Sequence, residues 1–69
     1  MKRLHDYLDC NRVNVVLKNG DEYVGEPIAV IYADESVSGE DELDIENDRI
    51  YGFVESKIDH IDILDEIEG

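Results

Sequence analysis

Val13-Asn14-Val15-Val16-Leu17-Lys18-Asn19-Gly20-Asp21-Glu22-Tyr23-Val24-Gly25-Glu26-Pro27 is the stretch that decides the fold. Val13, Val15 and Leu17 alternate with Asn14, Val16 and Lys18, the period-two pattern of a half-buried strand. Asn19-Gly20 follows at once. Both residues tolerate positive φ, which the type I′ hairpin turn requires at its two centres. The returning strand begins at Asp21, passes Tyr23 and Val24, and meets Gly25-Glu26-Pro27. Glycine permits a sharp bend there, and proline, with no N–H for the ladder, belongs at a bulge or an edge. Beyond the bend, Ile28-Ala29-Val30-Ile31-Tyr32-Ala33 is apolar on both faces. A long bent strand buried on both sides is what a small barrel needs when one strand serves both halves. A β-sandwich satisfies the same pattern.

Upstream, Leu4, Tyr7 and Leu8 recur at the spacing of an amphipathic helix over about residues 2–9. Two turns are too few to be stable alone, so packing must hold them. Downstream, residues 34–40 form a polar loop. Leu43 and Ile45 then alternate with Asp44 and Glu46 in a third strand closed by a turn at Asn47-Asp48. Residues 50–54 give a fourth strand with Gly52 at its middle, and Glu55-Ser56-Lys57 is a tight connection. Ile58, Ile61 and Ile63 mark a fifth strand, with Leu64 covering an end. The tail at 65–69 is expected to fray, with Ile67 available to pack. The reading is one domain over residues 1–69: mainly β, an SH3-like five-stranded small barrel over about 12–64 behind a short helix.

Nineteen acids against six bases give a net charge of −13. High charge favours disorder, but 42% apolar residues in clear periodicity oppose it. Between Asn19 and Asp48 stand eleven acids and no Lys or Arg. Such a surface repels phosphate, which disfavours nucleic acid. It serves solubility alone, or it docks on a basic partner by electrostatic complementarity. A lone cysteine, Cys10, forms no internal disulfide and fits a reducing compartment. Met1-Lys2-Arg3 leads into Leu4-His5-Asp6-Tyr7 rather than an apolar run, and the longest apolar stretch, residues 27–33, is too short to span a bilayer. The expectation is a soluble, cytoplasmic protein.

With these residues placed, the first half resembles the Sm-like small-barrel family. Leu4 and Leu8 stand on a helix, and Val13-x-Val15-x-Leu17-Lys18-x-Gly20-x-x-Tyr23-x-Gly25 follows in the order and spacing of that family's first motif. The resemblance covers residues 4–33 by motif and 42–64 by strand count. It implies RNA binding through an Asp and an Asn after the bent strand, and an Arg-Gly-Asp-like segment between the last two strands. This chain reads Ala33-Asp34-Glu35-Ser36 and Val54-Glu55-Ser56-Lys57 instead, so no RNA-binding residue carries over. Tyr32, Tyr51 and Phe53 are left as stacking groups. The family also forms rings by pairing the fourth strand with a neighbour's fifth, but thirteen negative charges per subunit favour a monomer or homodimer. In size and acidity the chain is similar to the acidic Sm-like antiterminators that bind the transcription terminator Rho. That likeness implies acids presented to a basic, nucleic-acid-binding protein.

No constellation points to catalysis, a metal or a cofactor. Counting from Asp34, the twelfth position of a calcium loop falls on Ile45 and Glu46 comes one late, which rejects an EF-hand. His5 and His60 lie on different elements, and Cys10 follows Asp9 with only Arg12 nearby to stabilise a thiolate. A barrel this small has little room for a cleft, so no enzymatic activity is expected. The expected function is a binding module whose acidic face, Asp34, Glu35, Glu40, Asp41, Glu42, Asp44 and Glu46, docks on a basic protein. Tyr51 and Phe53 share a strand face and offer an aromatic patch if that face is exposed. The alternatives are a degenerate Sm-like RNA-binding protein and a passive oligomerising or phage accessory module.

Overall fold

The computed structural model describes residues 4–66, with only the backbone of Glu66. Five antiparallel strands form one sheet: β1 (Cys10–Leu17), β2 (Glu22–Ile31), β3 (Glu42–Glu46), β4 (Ile50–Val54) and β5 (Ile58–Glu66), in the order β4-β3-β2-β1-β5. A 3-10 helix at Leu4–Asp9 leads into β1, and a second at Glu55–Lys57 joins β4 to β5. β4 and β5 are the two edges, so backbone pairing leaves the sheet open.

β2 serves both halves, as its sequence demands. Its first part pairs with β1, from Val16↔Glu22 to Val13↔Gly25. Its second part pairs with β3, from Glu26↔Glu46 to Ile31↔Glu42. The handover falls at Gly25, where a Cβ would lie 2.9 Å from the Glu46 carbonyl oxygen, so only glycine lets the two backbones approach. A register shift between Pro27 and Ala29 makes Ile28 the extra residue of a bulge, beside the residue that lacks a ladder donor.

Four expectations change in detail. The β1–β2 turn is not type I′. Leu17 N–H donates to the Asp21 carbonyl (2.8 Å) and Gly20 N–H to the Leu17 carbonyl (2.9 Å), which leaves a three-residue loop. Of the three loop residues only Gly20 has positive φ, at 97°, as that longer hairpin form requires of its last residue. Asn19 acts through its side chain instead, its Oδ1 accepting from Asp21 N–H at 3.0 Å.

The far half of β2 is not buried on both faces. Ile28 is 42% exposed, because no second layer covers the outer face of an open sheet, and Tyr32, just past the end of β2, is 48% exposed. The N-terminal helix is 3-10 rather than α. With three residues per turn, Leu4 and Tyr7 eclipse and are both buried, while Leu8 rotates to a half-buried position. Finally, Asp65 and Glu66 do not fray: they continue β5 opposite Arg12 and Cys10. The expected helix start at Lys2 and the packing of Ile67 lie outside the described residues.

The core lies inside the curve of the sheet. Val13 and Val15 of β1, Leu43 and Ile45 of β3, and Ile58 and Ile61 of β5 are buried, with Leu4, Tyr7 and Cys10 closing one end. Tyr23 of β2 reaches across this interior to β4, its ring 5.3 Å from Tyr51 and 5.0 Å from Phe53 between centroids. Side chains thus bring the two halves of the sheet together where backbone pairing does not.

Candidate functional site

Alternation along β3 sends Leu43 and Ile45 into the core and Glu42, Asp44 and Glu46 to the outer face. Cross-strand pairs share a face. On one side, therefore, Glu42, Asp44 and Glu46 stand beside Val54, Gly52 and Ile50 of β4. On the other side stand Ile31, Ala29 and Glu26 of β2. The outcome is a column of three carboxylates between two mainly uncharged rows, with Glu26 directly opposite Glu46. Like charges in that position oppose pairing.

Gly52 shapes the column. A Cβ on it would meet Asp44 Oδ1 and Glu42 Oε2, each at 2.8 Å. The two carboxylates therefore occupy the space above Gly52 that any other side chain would fill. Asp44 Oδ1 is buried there without a hydrogen-bond donor. With both groups ionised neither supplies a proton; a proton on Glu42 supplies one to Asp44. That hydrogen bond, then burial and the Asp44 charge, holds Glu42 above the usual carboxylate range.

The seven acids singled out in the sequence divide by role. Glu42, Asp44 and Glu46 form the column. Glu40 accepts from Ser56 N–H (3.2 Å) and Ser56 Oγ–H (3.0 Å), tying the entry of β3 to the 3-10 turn after β4. Asp41 Oδ1 accepts from Ala33 N–H at 2.9 Å and closes the loop between β2 and β3. All three bonds lie within the fold. Asp34 and Glu35 are exposed on that loop, away from the β3 ladder. Tyr51 and Phe53 are not an exposed patch. Half-buried, they stack against each other at 6.4 Å and pack with Tyr23 on the core, because they lie opposite Ile45 and Leu43 on the inner face.

Three further features escaped the sequence. Glu26 joins the column only through the β2–β3 register. Arg12 lines a cleft of about 410 Å³ with Asn11, Val24, Gly25, Glu26, Glu46 and Asn47, where the bend of β2 opens the sheet. On the outer face of β5, His60 Nδ1 lies 2.6 Å from Asp59 and Nε2 3.5 Å from Asp62. The Asp59 hydrogen bond raises the His60 pKa, with a further rise from the Asp62 charge. Only the Asp-His-x-Asp spacing hinted at this group.

Among the described residues, every ion pair within 4 Å joins a histidine to an aspartate, and none engages a lysine or arginine. No three potential ligands gather into a metal-binding group, and no helix is long and apolar enough to cross a membrane, again among the described residues. No known family model, curated protein or solved structure matches the chain.

Proposed function

We propose that this chain is a non-catalytic binding module of Sm-like or SH3-like small-barrel architecture that docks on a basic protein surface as an adaptor or inhibitor. One observation carries the reading: among the described residues, no lysine or arginine lies within ion-pair distance of the Glu42, Asp44 and Glu46 column or of Glu26, which extends it. Aligned carboxylates repel one another, and a docking cation relieves that cost. The architectural part is supported by the strand order, by β2 pairing in both halves and by the helix ahead of β1. On this reading the module works in the cytoplasm as a monomer or homodimer. A partner that binds nucleic acid would find these acids where it otherwise holds phosphate.

The test is capture of partners from a lysate of the native cell at low and high salt, followed by affinity measurement with the purified partner. Affinity should fall steeply with salt and be lost in the triple variant Glu42→Lys, Asp44→Lys, Glu46→Lys. A complex indifferent to both sinks the reading.

A further inference from the structure

The two sheet edges differ. β5 is blunted: its pairing with β1 is irregular at three places, and Asp59, Asp62 and Asp65 stud its length. Irregularity and charge are how edges avoid further pairing. β4 has neither device. It pairs with β3 without a register shift, and its own residues, Ile50-Tyr51-Gly52-Phe53-Val54, carry no charge.

Its hydrogen-bonding pattern follows from the hairpin. Asn47 N–H donates to Arg49 and Glu55 N–H to Asp41, so the bonded pairs alternate through Ile45↔Tyr51 and Leu43↔Phe53. The N–H and C=O groups of Ile50 and Gly52 and the N–H of Val54 therefore point away from β3, toward the open edge, while the Val54 carbonyl starts the 3-10 turn that follows. Their side chains lie on the outer face beside the carboxylate column, and Ile50 is 60% exposed.

Gly52 joins the edge to the acids. Because it lacks a side chain, Glu42 and Asp44 lean over β4 and stand next to where a sixth strand would lie. We propose that β4 accepts an extended segment of a basic protein as an added antiparallel or parallel strand, with a lysine or arginine opposite Gly52 reaching Glu42 and Asp44. This deepens the proposed function and rests on it. Main-chain bonds to Ile50, Gly52 and Val54 supply affinity, and the notch above Gly52 supplies selection. An acidic or neutral outer row on the incoming strand leaves the two carboxylates unrelieved, which is discrimination against wrong partners. The incoming strand's other face meets Tyr51 and Phe53 and favours apolar residues. The preferred segment therefore alternates basic and apolar positions. A second copy of this chain is a poor occupant, since it brings a charge of −13 and its other edge is the blunted β5.

The probe is a capped eight-residue peptide of alternating lysine and valine. Its controls are the same peptide N-methylated at alternate residues and a block peptide of four lysines followed by four valines. The alternating peptide should slow hydrogen exchange at the amides of Ile50, Gly52 and Val54, and N-methylation of its pairing edge should weaken it about tenfold or more. Gly52→Val, which fills the notch, and Asp44→Asn, which keeps the shape, should each reduce affinity for the alternating peptide. If all three peptides bind equally with no protection of β4, strand addition is overturned while docking by charge stands. If none binds at low salt, both proposals fail. If sedimentation shows self-association with β4 already protected, the occupant is a second copy and the inference is overturned.

Discussion

Glu42 shows how a neighbouring carboxylate changes an acid's behaviour. Two apart on β3, Glu42 and Asp44 converge over Gly52, and the hydrogen bond to Asp44, with burial and the Asp44 charge, holds the Glu42 carboxyl above its usual range. The sign of the consequence is fixed. A carboxyl whose folded pKa is raised binds its proton more tightly in the folded state, so stability falls as pH rises through that pKa. The penalty is complete at higher pH and vanishes below the ordinary carboxyl value. Glu42→Gln replaces the proton with a permanent amide donor to Asp44. Thermal unfolding from pH 3 to 8 should show the variant more stable than the parent at neutral pH, with the gap closing under acid. A constant gap across that range would contradict a raised Glu42 carboxyl. The alternation Glu42-x-Asp44-x-Glu46 was legible in the sequence, but the role of Gly52, eight residues away from Asp44, required the register.

At the scale of elements, β2 organises the fold through its handover from β1 to β3. Asn19-Gly20 and Gly25-Glu26-Pro27 located the turn and the bend correctly because glycine and proline act on the backbone itself, whatever surrounds them. The turn type was not legible, since Asn19-Gly20 suits both two- and three-residue loops and the strand register chooses between them. Gly25→Ala should destabilise the protein by about 1–3 kcal/mol, because the new methyl meets backbone that cannot rotate aside. Denaturant unfolding measures this, and a neutral effect would show that β2 and β3 can separate at the bend without cost. The helix illustrates the opposite limit. Leu4-x-x-Tyr7-Leu8 fits either helical period over so short a run, and packing of Leu4 and Tyr7 against the sheet selected the 3-10 form.

For the whole molecule, net charge sets the balance between compactness and self-repulsion. A charge of −13 sits within a Cα radius of gyration of 11.2 Å. The Debye length is about 30 Å at 0.01 M salt and about 8 Å at 0.15 M, so screening passes from longer to shorter than that radius over the range. Sodium chloride added across it should raise the unfolding midpoint by a few degrees. A midpoint that falls or stays flat would mean that the acids are already compensated locally. The sequence by itself determined the mainly β class, five strands in chain order with the limits of β3 and β4, the hairpin and bend, and the acidic span, because periodicity, turn chemistry and charge are local properties. Only the tertiary structure decided which acids stand together. A one-residue change of register exchanges the faces of a strand, and the bulge at Ile28 sets the pairing that brings Glu26 to Glu46. It likewise assigned Glu40 to Ser56 and Asp41 to Ala33, and turned Tyr51 and Phe53 inward. The acidic face read from the chain thus narrowed to one column on β3, bordered on its open side by the uncharged β4 edge.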